Sequence, residues 1–303
     1  MKYTLEYPSE LPSAPDDFLQ PEVIREVSAA AEASGFSALA LSEHPAPSMK
    51  WRHNGGHNTL DPIAALSFMA AMTDSIALMT NLYVLPFRNP YLSAKALASV
   101  DIISGGRLIA GVGAGYLRSE FAAVGVDFDR RAELLDEALD ALQSIWTKPQ
   151  VPVAGKDFEA QGPLWLQSPT QQPHPPIWIG GNGNAAMRRV VQYGSGWMPL
   201  IASAGLASAI RTVAIEDADQ FEAALGRLRS RLLAVGRDPL SIDVQVVCPH
   251  IDLDDRASLS EAQTFLADME RRGATSAVVH VDGSSPQAAT NFIKVFGEAV
   301  IGV

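Results

Sequence analysis

Four stretches of the sequence hold residues whose types and spacing could do chemistry. The first is Ser42-Glu43-His44-Pro45. An imidazole titrates near neutrality, so one placed beside a substrate can donate to a developing anion or take up a proton. Pro45 biases the backbone of His44 toward an extended conformation. The competing reading of His44 is a structural hydrogen bond at the end of an element. The second stretch is Gly180-Gly181-Asn182-Gly183-Asn184. A glycine-rich turn into a helix points backbone N–H groups out of the positive end of the helix dipole, an arrangement that binds phosphate. Arg188 and Arg189, in the first two turns of that helix, could add charge. A tight connection that needs positive φ explains the same glycines without a ligand.

The third stretch is Gly111-Val112-Gly113-Ala114-Gly115, followed by Tyr116. Its spacing is not Gly-x-Gly-x-x-Gly, and no early strand–helix unit with a following acidic residue frames it, so it is not read as a dinucleotide loop. Its glycines are expected to let a flat ring approach the backbone. The fourth is Thr80-Asn81-Leu82-Tyr83, at the end of an apolar run. Other candidates carry less. His53 and His57 flank Asn54-Gly55-Gly56 near His44 and Asp61, which invites a metal, but a glycine loop does not aim both rings one way as a helix would; no metal is expected. Cys248 lies in the run Val244-Gln245-Val246-Val247-Cys248 and reads as a small core residue. His174, His250 and His280 read as structural, although His250 and His280 sit near strand ends. Arg107 is expected to make a structural salt bridge at the base of a strand, and Glu120 and Arg130 to be surface or scaffold residues.

The elements that must position these groups alternate along the chain. Tyr3 to Tyr7, Ala38 to Ser42, Ile76 to Leu85 and Arg107 to Val112 read as the first four strands. Ile177 to Ile179, Gly196 to Leu200, Ile242 to Cys248 and Ala277 to Val281 read as the last four. Between them lie helices at Pro21 to Ser34, Ile63 to Met72 with Asp61 as N-cap, Pro90 to Ile103, Asp129 to Trp146, Ala185 to Tyr193 and Glu216 to Val235. Asn291 to Val300 closes the chain. Residues 148–175, rich in Pro, Gln and Gly, are expected to pass over the barrel as a long excursion with a short hairpin around Phe158 to Leu166. The strands are short, apolar and rich in Val and Ile, as parallel strands covered by helices are. Eight of them favour a single closed (β/α)₈ barrel over an open doubly wound sheet, with insertions at the C-terminal face. In such a barrel the active site lies at the C-terminal ends of the strands, where all four stretches fall.

Composition bounds the partners. The chain has 303 residues and a formal charge of −11. An acidic chain does not offer the basic surface that nucleic-acid binding needs. The single cysteine permits no intrachain disulfide, which fits a reducing compartment. The N-terminus, Met1-Lys2-Tyr3-Thr4-Leu5-Glu6, holds no signal-peptide core, and no run approaches the ~20 apolar residues of a membrane span. A cytoplasmic protein with a small-molecule substrate is expected.

Taken together, Ser42-Glu43-His44, the run Met79 to Pro90, Leu97 through Arg118 with Ser104-Gly105-Gly106-Arg107-Leu108, and Pro175 to Asn182 resemble the luciferase-like monooxygenase superfamily. Within it they resemble the coenzyme F420-dependent oxidoreductase branch. The resemblance implies an enzyme that transfers hydride between F420, a deazaflavin, and a small organic substrate. It implies His44 at the reactive centre, Asn81-Leu82 in a bulge behind the ring that often contains a non-proline cis peptide, backbone contacts to the cofactor from Ala114 and Gly115, and phosphate contacts from Gly180, Gly181 and Asn182. It also implies a homodimer. Sugar-phosphate dehydrogenases of this family carry a glutamate where Tyr116 stands, so the resemblance departs from them there. The departure makes the substrate side more apolar, with Trp51, Tyr116, Trp178 and Trp197 as pocket candidates. Two alternatives stay open: an FMN-dependent monooxygenase supplied with reduced flavin by a partner reductase, and a cofactor-binding barrel without turnover.

Overall fold

Strand parity organises the molecule. The computed structural model describes residues 1–148, 150–253 and 255–303. Eight parallel staves follow in chain order: β1 (Lys2–Glu6), β2 (Ala38–Leu41), β3 (Ala77–Thr80, resuming at Tyr83–Val84), β4 (Leu108–Gly113), β5 (Ile177–Gly180), β6 (Gly196–Met198), β7 (Asp243–Val247) and β8 (Ser276–Val279). Each pairs with the next, and β8 pairs with β1 through Tyr3↔Ala277, so the sheet closes into a barrel. Side chains alternate between the two faces of a strand. Leu5, Leu39, Leu78, Leu108, Ile177, Trp197, Val244 and Ala277 therefore join the large core under the helices. Ala38, Ala40, Met79, Trp178 and Met198 form a second, smaller cluster inside the barrel.

The helical expectations hold with shifted ends. Asp61 caps Pro62–Ala70 by accepting from the Ala64 N–H at 3.0 Å. The amphipathic helix Arg131–Thr147 buries Leu135, Leu139, Leu142, Ile145 and Trp146. The helix Arg256–Arg272, between β7 and β8, was not expected; its burial is confined to Ala262, Leu266 and Met269, too sparse a stripe to read from the sequence.

Two expectations need correction. Arg107 makes no ion pair with any described residue; its guanidinium instead donates to the carbonyls of Ala70, Thr73, Ile76 and Ser104 at 2.7–2.9 Å and to Thr73 Oγ1, lacing the N-terminal end of the barrel. The excursion 148–175 is not an insertion at the C-terminal face. It climbs the flank far enough for Asp157 to meet Arg130 at 2.8 Å, then returns to the barrel base, where Gln171 Nε2 donates to the Leu108 carbonyl. A helix ends, and the following strand begins, at the N-terminal face, so a chain joining them must start and finish there. Among its described residues the one bridge is Ala154↔Glu159, short of the hairpin expected around Phe158 to Leu166. The segments that do cover the C-terminal face are the βα loops with the short helices Met49–His53, Arg118–Ala123 and Ala204–Ala209.

Candidate active site

A cavity of about 980 Å³ opens at the C-terminal ends of the strands. His44, Asn81, Leu82, Ala114, Gly115 and Tyr116 border it, as do Gly180 and Gly181. These are eight of the sequence candidates, and the barrel gathers them; Asn182, Trp51, Trp178 and Trp197 are not among the lining residues.

His44 leaves β2 just past the sheet, and its Nδ1 lies 3.2 and 3.3 Å from the two carboxylate oxygens of Glu120. Glu120, on the short helix Arg118–Ala123, is buried rather than a surface group, which corrects its sequence reading. A carboxylate beside Nδ1 holds the N–H there and leaves Nε2 to accept or deliver a proton. The ring is boxed by aromatic neighbours: Trp51 at 4.4 Å, His57 at 5.6 Å and Tyr116 at 6.0 Å between centroids. The Trp51 indole donates to the Tyr116 hydroxyl at 3.0 Å. Burial, with the Glu120 charge adding to it, raises the Tyr116 phenol, so it stays protonated. Burial lowers His57 and favours its neutral form. His57 packs against His44 and Trp51, and among the described residues no group of three or more His, Cys, Asp or Glu side chains is placed to hold a metal ion.

Across the barrel seam lies a second histidine–carboxylate pair that the sequence reading missed. His280 Nε2 meets Glu6, and both residues border the cavity. Burial alone would depress the His280 imidazole; the hydrogen bond and charge of Glu6 outweigh it and raise the group above its ordinary value. The other Glu6 oxygen accepts from Asn81 Nδ2 at 3.3 Å. Behind it, burial and the Glu6 charge push Glu10 well above the usual carboxylate range. Glu43, beside His44, pairs with Arg88 and accepts from the Val84 N–H, tying the end of β2 to the second half of β3.

Between the two halves of β3 the Asn81–Leu82 peptide is cis, as the resemblance implied. The reason for the glycines opposite differs from expectation. A Cβ on Gly113 or on Gly180 would come within 2.6 Å of Leu82 Cδ1, and one on Gly111 would collide with the Thr80 carbonyl. Gly111, Gly113 and Gly180 thus make room for the protein's own bulge. Ala114 and Gly115, beyond them, face the cavity.

The turn after β5 fits a phosphate-bearing cofactor. Gly183 stands at the N-cap of the nine-residue helix Asn184–Gln192, whose first N–H groups have no intrahelical acceptor. A Cβ on Gly183 would meet nothing closer than Val213 at 3.7 Å, so the backbone is approachable there. Asn182 does not belong to that cradle. Its N–H donates to Thr212 Oγ1, and its side chain bonds the backbone of Leu200 and Val213, so it braces the turn instead. Arg188 and Arg189 both pair with Asp136. The cations left at the rim are Arg131 and Arg211, neither singled out by the sequence reading.

The expectation that Trp178 and Trp197 line the pocket is corrected by strand parity. Trp197 points outward, is fully buried, and stacks on Phe221 while donating to the Gly181 carbonyl. Trp178 points inward but lies two residues below the end of β5, within the barrel interior. Trp51, on the short helix Met49–His53, packs on His44 and is likewise not among the residues lining the cavity.

One mouth of the parallel barrel thus carries a histidine–carboxylate pair, a cis-peptide bulge and a glycine turn at a helix N-terminus. The chain belongs to the luciferase-like monooxygenase family, whose sequence model matches residues 8–291. Among curated relatives, it is 32% identical over 186 residues to an F420-dependent glucose-6-phosphate dehydrogenase of Gordonia bronchialis, a match covering 59% of this chain and 52% of the relative. The chain thus spans about half the length of such relatives. Among solved structures, monooxygenase RslO1 from Streptomyces bottropensis superposes with a TM-score of 0.82 at 20% identity, covering 99% of each chain. The oxygenating constituent of 3,6-diketocamphane monooxygenase of Pseudomonas putida, solved with FMN, gives a TM-score of 0.75 at 15% identity, covering 99% of this chain and 97% of that one. No helix among the described residues is long and apolar enough to cross a membrane.

Proposed function

We propose that this chain is an oxidoreductase that moves hydride between coenzyme F420 and a small, largely apolar organic substrate. One observation carries the reading: the His44–Glu120 pair faces the same cavity as the glycine cradle, so a proton carrier and a phosphate site share one chamber. A bound deazaflavin supplies a carbon centre that gives or takes hydride and reacts poorly with oxygen. Gly183 and the first N–H groups of the following helix would hold its phosphate, with Gly181, whose N–H is donated to the Met198 carbonyl, shaping the turn; Ala114 and Gly115 would offer the backbone wall, and Leu82 would back the ring. His44 takes or delivers, at Nε2, the proton that accompanies hydride transfer, and Glu120 fixes its tautomer. Tyr116, neutral and held by Trp51, donates no charge where sugar-phosphate dehydrogenases of the family carry a glutamate. Leu206 and Ile210, which also border the cavity, add to its apolar side. This supports a ketone, imine or alkene type of substrate over a sugar phosphate.

The same cradle would hold the terminal phosphate of FMN, and that second reading adds a partner reductase that supplies reduced flavin. A homodimer belongs to either reading, and sedimentation of the purified protein tests it. Titration with oxidised and reduced F420 and FMN, followed by absorbance, decides between the cofactors. Anaerobic mixing of the reduced complex with ketones, imines and activated alkenes then tests turnover. Binding of F420 with reoxidation by one of these supports the proposal. Binding of FMN alone, with oxygen-dependent product, replaces it with the monooxygenase. Binding without reaction toward any acceptor leaves a non-catalytic barrel.

A further inference from the structure

We infer that Arg131 and Arg211 form a second anion subsite at the cavity rim, beyond the glycine cradle, which takes the carboxylates of the cofactor's tail. The inference rests on the F420 reading above. Both guanidiniums border the cavity. Both lie against the ring of Phe128, at 4.0 and 5.0 Å from its centroid, and so converge on one spot from positions 80 residues apart in the chain (211 − 131). A third arginine, Arg118, shares that ring at 4.4 Å but is neutralised by Asp129 at 2.7 Å. Neither Arg131 nor Arg211 has a carboxylate within ion-pair distance among the described residues. Arg131 reaches only the Phe128 carbonyl, and Arg211 the Tyr116 carbonyl. Burial and then the like charge of Arg211 lower the Arg131 guanidinium, against the weaker pull of Asp129.

The chain does not gather these cations by default. Its net charge is −11, and Arg188 and Arg189 nearby are both held by Asp136. Arg211 is also the one non-glycine described residue with positive φ, at 60°. A bulky residue in that region is uncommon and is retained where its surroundings hold it. Here Thr212 accepts from the Asn182 N–H, so the turn carrying Arg211 is fastened to the phosphate cradle. Arg131 is fastened from the other side, because Arg189 grips the Ala132 carbonyl. The pair therefore flanks the cradle at the solvent end. Coenzyme F420 continues past its phosphodiester into a lactyl and glutamyl tail, so a phosphodiester held in the cradle would bring the tail's carboxylates within reach of these cations. FMN stops at its phosphate.

The test compares three ligands at low salt: F420 bearing glutamyl residues, its glutamate-free form, and FMN. The parent protein should bind the glutamylated form on the order of tenfold tighter than the glutamate-free form, the scale of two partly exposed charge pairs. Salt above the physiological range should erase the difference. In the Arg131→Gln/Arg211→Gln double variant the preference should fall below about twofold, with the glutamate-free form, which keeps only its lactyl carboxylate, weakened by a clearly smaller factor than the glutamylated one and a melting temperature within a few degrees of the parent. If the parent binds both deazaflavins equally, or if the variant weakens both by the same factor, the subsite is refuted while F420 binding stands. If neither deazaflavin binds and FMN does, the cofactor reading itself has failed, and the inference with it.

Discussion

Replacing Glu120 by glutamine isolates what the carboxylate does for His44. The amide keeps the shape of a side chain that is buried and lies 3.2 Å from Nδ1, but it removes the charge that stabilises an imidazolium. A hydrogen bond to a charged group contributes about 1.5–3 kcal/mol. At about 1.4 kcal/mol per decade, losing it slows a step that forms or consumes the imidazolium by roughly 10–100-fold. His44→Ala removes the proton carrier itself and should slow turnover by about 10²–10⁴-fold. The double variant should be no slower than His44→Ala alone, because the glutamate acts only through the histidine. The assay is the single-turnover rate of cofactor reoxidation across pH, with cofactor affinity measured in parallel. Glu120→Gln should lower the rate across the pH range and leave affinity nearly unchanged. Additive losses in the double variant, or parent-like rates in Glu120→Gln, would refute the dyad.

Gly183→Ala should weaken binding of either phosphate-bearing cofactor about tenfold with little change in melting temperature. Gly181→Val is the blunter test, since its φ of +109° strains any side chain and confounds binding with folding. Arg107→Leu leaves four backbone carbonyls without their donor and should cost about 3–5 kcal/mol in denaturant unfolding; cofactor affinity should survive at low temperature, because this arginine lies at the opposite end of the barrel. Glu10→Gln addresses pH. A carboxyl raised by burial keeps its proton in the folded state after the unfolded chain has lost its own, so the parent loses stability as pH rises from the ordinary carboxylate range toward the raised value. The glutamine variant should flatten that decline in melting temperature, and an unchanged decline would show that Glu10 ionises normally.

The strand count and the glycine turn were legible because buried parallel strands read as short apolar runs and because the cradle is local. The Asn81–Leu82 bulge was legible only through the family resemblance. What escaped the sequence was contact over distance. Glu6 and His280 stand 274 positions apart and meet because β8 closes on β1. Glu120 was read as scaffold because its helix spans six residues, too few for a periodicity to reveal which side is buried. Trp197 was misread for a simpler reason: beside Gly196 and Met198, whose positions face inward, it takes the opposite face of a three-residue strand. Arg131 and Arg211 went unnoticed because arginines in an acidic chain read as solvated until their carboxylates are counted.

Trp178 has a consequence for kinetics. With Met79, Met198, Ala38 and Ala40 it packs the barrel interior beneath the cavity, so the chamber is approached from the C-terminal ends of the strands. Under the proposed function, cofactor and substrate would share that approach, and where one lies beneath the other the deeper of the two has to arrive first and depart last, so that addition becomes ordered. A product trapped beneath the outer ligand would then compete with one reactant and not the other, and the pattern of product inhibition would reveal which of the two sits at the bottom.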